Sequence, residues 1–405
     1  VNLRLSRLRP LLPPAEALAA GGVFLACWAL VHRWFWAHGQ LVDWPTYQDY
    51  GNAILHHGQV PYRDFAVEYP PGALPAFVAA APFGDYASAF AWVMAACGVA
   101  LVFVVAQVRV AAAFFVALAP VLVGSLILSR FDLWPALLAT AAVAALLAER
   151  HRLGWALLGA AVAAKLWPLV IVPLALVWSV RRGRGRASLA GVIVVVAAFL
   201  PFVVLAPHGV WSSLSGQASR PLQIESLGAA LFATFGHPQS ISSHGSQNIA
   251  GHGTVAALFG VAQVAALLVL WIAFARGPAT RDRFLRYAAA AVCAFIAFGK
   301  VLSPQFLIWL VPLVPLVRGR RGALATALLT AALVLTQVWF PQRYWGYADS
   351  FHLAGVVLAR DLVLVALVAA LVVPAGLARR PAIDHAPPNR NWEGADGAHA
   401  VGERD

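Results

Sequence analysis

The 405-residue sequence is 61% hydrophobic and only 11% charged, which places it among polytopic membrane proteins rather than chains of two or three soluble domains. Its formal net charge of +12 does not point to nucleic acid, because the basic residues form short clusters between hydrophobic stretches, a signature of membrane topology. Cys27, Cys97 and Cys293 all fall inside predicted spans and read as small packing residues rather than disulfides or metal ligands.

Residues 1–14 carry Arg4, Arg7 and Arg9 and no cleavage site follows a short apolar core, so this segment is expected to be cytoplasmic and the first span an anchor. Hydropathy predicts about twelve spans, at 15–37, 86–106, 110–128, 132–148, 152–164, 166–180, 187–206, 253–275, 286–299, 303–317, 321–338 and 354–377. The membrane domain is thus 15–378, with outer loops at about 38–85, 207–252 and 339–353. The polar, proline-rich tail 379–405 is predicted to be disordered and cytoplasmic. With the N-terminus inside, the clusters at 149–152, 181–186, 276–286 and 318–321 all land on the cytoplasmic side, as the positive-inside rule requires.

The first outer loop stands apart from the Ala, Val and Leu around it. Leu41 to Gly72 concentrates Asp43, Asp49, Arg63, Asp64 and Glu68 among Trp44, Tyr47, Tyr50, Tyr62 and Tyr69. Rings stack on the apolar faces of a pyranose while carboxylates accept from hydroxyls, and one carboxylate can act as a general base. An ordinary wet loop between two spans would carry the same residue types. The stretch from Ala73 to Phe83 is too short to span and is expected to lie along the interface.

Two predicted spans, 152–164 and 286–299, are too short to cross about 30 Å of hydrocarbon as helices. Each is followed by a lysine, then a proline, then a segment returning to a basic cluster, which predicts two lysine-tipped hairpins bordering a polar cavity. Lys165 and Lys300 at these tips are the only lysines in the chain. A compact point charge suits a phosphate oxygen, although chance survival of two lysines is the plainer account.

The remaining outer connections carry Arg130 and Asp132, then Arg220, Gln223 and Glu225, then Arg343, Tyr344 and Trp345. His237, His244 and His252 match no metal-ligand spacing, so neither metal nor cofactor is expected. Arg360 and Asp361 are adjacent in the last span and are expected to need separate partners. No P-loop, dinucleotide or Ser/His/Asp signature is present, against an ATP-driven pump or a soluble-type hydrolase.

The stretches DWPTYQDYG at 43–51, PYRDFAVEYPPG at 61–72, RFDLWP at 130–135, AAKLWP at 163–168, RPLQIESL at 220–227 and SPQFLIWL at 303–310 resemble polyprenyl-phosphate-dependent glycosyltransferases of the GT-C superfamily. Within it the chain is similar to glycosyltransferase family 87, the actinobacterial α-mannosyltransferase type. That resemblance implies an all-α GT-C-like bundle and a catalytic first outer loop in the bacterial plasma membrane, with both termini cytoplasmic and the site facing outward. It implies inverting transfer of a hexose, mannose foremost, from a polyprenyl-phosphate donor to a glycolipid or glycan acceptor among membrane lipids, without metal. By position Asp43 takes the role of general base, with Asp49 and Glu68 in reserve.

The leaving polyprenyl phosphate needs cations more than an acid. Lys165, Lys300, Arg130, Arg220 and Arg343 are the candidates to supply them. Trp44, Tyr47, Tyr62, Arg63, Tyr69, Asp132, Glu225 and Gln305 are the candidates for sugar or acceptor binding. Trp44 and Tyr69 also fit an interfacial aromatic belt, and Arg130 and Asp132 fit helix capping. A transporter or flippase of sugar-linked lipids is the competing reading, since it too has many spans, broken helices and a membrane-depth cavity.

Overall fold

A computed structural model describes residues 15–38, 42–236 and 238–373. The segment 1–14, the tail 379–405 and His237 lie outside the described residues. The helices are α1 (Ala15–His38), α2 (Trp44–Leu55), α3 (Leu74–Val78), α4 (Tyr86–Val108), α5 (Val110–Ala117), α6 (Ala119–Val123), α7 (Leu126–Ser129), α8 (Leu133–Leu147), α9 (His151–Ala164), α10 (Val172–Val180), α11 (Ser188–Leu205), α12 (Pro207–Ala218) and α13 (Leu227–Phe235). An antiparallel hairpin of β1 (Ser240–Ser243) and β2 (Ser246–Ile249) follows. Then come α14 (Gly253–Arg276), α15 (Arg281–Ala297), α16 (Gly319–Trp339), α17 (Tyr344–Ser350) and α18 (Ala354–Val372).

Six helices, α1, α4, α11, α14, α16 and α18, are long and apolar enough to cross a membrane. Among the described residues the expected count of about twelve spans is not confirmed, because the remaining predicted spans are short or broken. The stretch 110–128 divides into α5, α6 and α7, with Pro120 in the first turn of α6 and Gly124 at φ +68° after it. At 166–180 a 3-10 turn, Trp167–Ile171, precedes α10, and at 303–317 two 3-10 turns, Pro304–Trp309 and Val314–Leu316, replace an α-helix. Each of these turns has a proline at its first or second position, where the ring's fixed φ and missing N–H are tolerated. Hydropathy counts apolar residues and does not see those breaks.

The segment between α1 and α4 is not merely a wet loop. Tyr47 of α2 stacks on Phe77 of α3 at 4.5 Å between ring centroids, and Phe131 meets both edge-on at 5.6 and 5.1 Å. Phe77 is fully buried, so the stretch expected to lie along the interface packs into the core instead. Gly72 makes that docking close: a Cβ there would fall 2.6 Å from the carbonyl carbon of Ala163 in α9.

Several arginines serve the ends of structured segments. Arg109 donates to the carbonyls of Pro315 and Val317 at 2.8 and 2.7 Å, Arg181 to those of Ala275 and Gly277, and Arg283 to that of Phe274 at 2.9 Å. Carbonyls at segment ends run short of backbone donors, although that of Phe274 also accepts from Gly277 N at 3.3 Å. The expectation that Arg360 and Asp361 need separate partners fails in one respect. The long guanidinium stem folds back along α18 so that Nε sits 2.7 Å from Asp361 Oδ1, with both side chains fully buried.

Helix α11 buries little besides Gly191 and is held by a close crossing over α9. A Cβ on Gly159 would lie 2.4 Å from Gly191 O, and one on Gly191 would lie 2.8 Å from Trp155 O. Small residues let backbones meet in this way where lipid supplies no hydrophobic drive. Gly159→Leu is expected to destabilise by about 1–3 kcal/mol in thermal unfolding of the purified protein. Gly216→Ala, where an added methyl meets nothing within 4 Å, is expected to stay within about 0.5 kcal/mol.

Candidate active site

A cavity of about 760 Å³ is lined by residues from α2, the 68–70 segment, the α7–α8 connection, the chain after α9, α12, the 220–225 segment, the β-hairpin, and the chain after α15. It gathers Asp43, Glu68, Tyr69, Arg130, Lys165, Arg220, Glu225, Lys300 and Gln305 from the residues singled out in the sequence. Leu166, Trp167, Leu169, Val170, Phe295 and Phe306 give one flank an apolar surface, and Leu169 is 49% exposed at its outer edge.

Asp43 occupies the N-cap position of α2, with Pro45 in the first turn, but its side chain makes no cap bond. It pairs instead with the Arg130 guanidinium, whose side chain is only 12% exposed. Asp49, six residues on, lies about 240° around the helix; it is exposed and does not line the cavity. Helix phase thus separates Asp43, the first candidate for the base, from its reserve Asp49. Glu68 reaches the cavity from an exposed position, and its backbone carbonyl accepts from Gln217 of α12 at 3.2 Å.

Lys165 follows the last residue of α9 and donates to Asp132 Oδ1 at 2.7 Å. The same oxygen accepts from Trp309 Nε1 at 2.6 Å. Rings of Phe131, Trp309, Phe306 and Tyr69 stand 4.7, 5.3, 5.7 and 6.0 Å from the ammonium, close enough for cation–π attraction. Trp167 stacks on Trp309 at 4.8 Å and joins the AAKLWP and SPQFLIWL segments. Asp132, 1% exposed, therefore sits behind the cavity wall and not in the sugar-contacting position expected of it.

Arg220 donates to Ser246 Oγ at 3.1 Å and to His244 O at 3.4 Å, so the β-hairpin is tied to the cavity wall. The Lys300 carbonyl accepts from Gln223 N at 3.0 Å, which ties the backbone of this cavity-lining residue to the 220–225 segment. Glu225 is 2% exposed, and burial pushes its carboxyl up to about 8 against the opposing pull of Arg360, the Gln223 side chain and Arg220.

Five other expected contacts fall elsewhere. Arg343 is exposed, donates to Val338 O at 3.2 Å and does not line the cavity; Tyr344 and Trp345 beside it do. Arg63 is exposed and occupied by Asp64 at 2.8 Å, which holds the Asp64 carboxyl down to about 2. Tyr62 is buried and donates to Tyr69 O at 2.6 Å. Tyr47 belongs to the aromatic core, and Trp44 packs against that core rather than lining the cavity. The sequence reading did not anticipate Trp309, Gln217 or the hairpin residues Ser242, Ser246 and Gln247; no local signal marks them, because they reach the site by long-range packing.

Fold and site together define a polytopic membrane protein with a cation-rich polar cavity flanked by an apolar wall. The chain belongs to Glycosyltransferase family 87, which it matches over residues 67–304, more than half its length. No curated protein matches it. Among solved structures, ArnT from Cupriavidus metallidurans bound to undecaprenyl phosphate is similar at a TM-score of 0.48 and 15% identity, over 88% of this chain and 77% of that one.

Removing Asp132 leaves the Lys165 charge buried without its counter-charge. Asp132→Ala is expected to destabilise by about 3–5 kcal/mol, measured by thermal unfolding, whereas Asp49→Ala on the exposed face of α2 is expected to change stability by less than about 0.5 kcal/mol.

Proposed function

We propose that the protein transfers a hexose, mannose foremost, from a polyprenyl-phosphate donor to a hydroxyl of a glycolipid or glycan acceptor at the outer face of a bacterial plasma membrane. The observation that carries this reading is the single cavity in which Asp43 and Glu68 face Arg130, Lys165, Arg220 and Lys300 beside an apolar flank. The cations suit a phosphodiester and the flank suits a prenyl chain. Glu68 and Tyr69, which line the same cavity, contact the sugar or the acceptor in this reading.

In the proposed step Asp43 takes the proton of the acceptor hydroxyl as its oxygen bonds to the anomeric carbon. The bond from that carbon to the phosphate oxygen breaks, and polyprenyl phosphate leaves with the electron pair, inverting the anomeric centre. The cations stabilise the charge growing on the phosphate, so the reading requires neither a metal nor another cofactor. Arg130, paired with Asp43 at rest, lies where it can turn to the arriving phosphate and release the carboxylate.

Asp43→Asn is expected to fold normally and lose transfer by at least about a hundredfold in an assay with purified protein, a panel of polyprenyl-phosphate sugars and membrane glycolipid acceptors. Full activity in that variant, or loss in Asp49→Asn instead, would move the base. Movement of sugar-linked lipid across reconstituted vesicles with no transfer would replace the enzyme by a flippase. A pH dependence also follows. The carboxyl of Glu225 is neutral below about 8 and charged above it. A donor phosphodiester keeps one negative charge throughout, so its affinity is expected to fall as pH rises through that value. In Glu225→Gln that decline is expected to vanish; an identical decline in the variant would exclude Glu225 as its source.

A further inference from the structure

Segment 223–226 has its backbone tied down at nearly every group. Gln223 N donates to Lys300 O at 3.0 Å, Ile224 N to Gln247 O at 3.1 Å, and Ser226 N to Gln223 O at 3.0 Å. Its carbonyls are equally occupied: Tyr347 donates to Ile224 O at 2.8 Å and Arg360 Nη2 to Glu225 O at 2.8 Å. Tyr347 and Arg360 are themselves fully buried, in α17 and α18.

Two side-chain atoms on this rigid segment are nevertheless left without hydrogen-bond partners among the described residues, Gln223 Oε1 and Glu225 Oε2, both buried on residues that line the cavity. Orphaned buried polar atoms cost free energy, and these two, unlike the orphaned atoms of Ser125, Thr140 and Asp361, belong to residues that line a cavity where a ligand can satisfy them. The chemistry of the atoms identifies the ligand. An amide oxygen accepts only, and a carboxyl accepts or, when neutral, also donates. A phosphodiester offers no proton to an amide oxygen, whereas a sugar hydroxyl both donates and accepts.

We propose that Gln223 and Glu225 form the hydroxyl-recognising subsite for the transferred sugar, and that the buried Arg360–Asp361 pair of α18 is a positioning device that holds this segment at the cavity wall. The subsite rests on the reading of the cavity as a glycosyl-transfer site. Arg360 does not line the cavity: its Nε lies 2.7 Å from Asp361 Oδ1 as an ion pair, and its Nη2 donates to the Glu225 carbonyl. The charged or titratable groups around Glu225 are Arg130, Arg220, Tyr344, Tyr347 and Arg360. Its neutral state below a pH of about 8 lets it share the cavity with an anionic donor.

The test compares binding of undecaprenyl phosphate alone with binding of its mannosyl, glucosyl and arabinosyl esters to the full-length protein in lipid nanodiscs. Wild type is expected to bind one of the esters about tenfold or more tighter than the sugarless lipid. Glu225→Ala and Gln223→Met are expected to erase that preference while leaving undecaprenyl phosphate binding unchanged, and Glu225→Gln to retain most of it. Arg360→Lys, which keeps a charge beside Asp361 but removes the reach to the Glu225 carbonyl, is expected to lose the preference in the same selective way. Equal loss for both lipids, or an undiminished preference in Glu225→Ala, would overturn the subsite while leaving the glycosyl-transfer reading intact. Wild type that binds undecaprenyl phosphate in neither form would overturn that reading itself.

Discussion

The site depends on the buried contact in which one oxygen of Asp132 accepts from both Lys165 and Trp309. A lysine held among aromatic rings in a largely apolar bundle is costly without a counter-charge. The counter-charge comes from the N-cap of α8, the lysine from the C-cap of α9, and the indole from a 3-10 turn more than 140 residues later. Because the three meet at one atom, they fix their chain neighbours as well. Arg130 lies two residues before Asp132, Trp167 two after Lys165, and Phe306 three before Trp309; all three line the cavity. A single ion pair behind the wall therefore sets the register of much of the surface in front of it.

Charge was the legible part of the sequence. Asp43, Glu68, Arg130, Lys165, Arg220 and Lys300 stand out in a chain with 11% charged residues, and a charge kept in such a background needs a reason, which here is a common cavity. The aromatic residues were less legible, since Tyr47, Tyr62 and Trp44 have the composition of a sugar platform but spend their surfaces on packing. The choice between Asp43 and Asp49 was readable in principle: Pro45 in a first turn marks a helix start, and a six-residue offset on a helix changes face. The number of spans was not readable, because hydropathy follows composition while Pro120, Pro168 and Pro304 decide where α-helix ends. Arg343 was misplaced for a related reason. A seven-residue helix after it turns Tyr344 and Trp345 to the cavity and leaves the guanidinium outside.

The family match runs from residue 67 to residue 304 and includes both lysines, Arg130, Arg220 and Glu225. The cavity draws on residues outside those limits at both ends. Asp43 and Thr46 come from α2 before the match, and Gln305, Phe306, Trp309, Phe340, Tyr344 and Trp345 come after it. The matched region thus carries most of the cationic wall, while the candidate base and part of the aromatic lining are brought to it by packing. Tyr47 supplies that packing for the base: four residues after Asp43, it anchors the first turn of α2 against Phe77, Phe90 and Phe131. A carboxylate carried on the end of an anchored helix is better placed for proton transfer than one on a free loop.

The unsatisfied atoms at the cavity sort by chemistry. Among the described residues Arg130 Nε, Arg220 Nε and Trp167 Nε1 are buried donors without acceptors, and Gln223 Oε1 and Glu225 Oε2 are buried oxygens without donors. Simple proximity does not pair them, because the 223–226 backbone is tied to Lys300, Gln247, Tyr347 and Arg360, while Arg130 is drawn to Asp43 and Arg220 to the hairpin. Arg130 and Arg220 are near enough to Glu225 to interact with it electrostatically, yet all five atoms, donors and oxygens alike, stay without hydrogen-bond partners among the described residues. A ligand that relieves both must present anionic oxygens to the donors and hydroxyls to the oxygens within one molecule. A sugar joined to a phosphate meets that requirement, and neither half of it does so alone. On this argument the free energy stored in keeping these groups unpaired is recovered only when the linkage between sugar and phosphate is intact, so intact donor would be favoured over the lipid phosphate left after transfer.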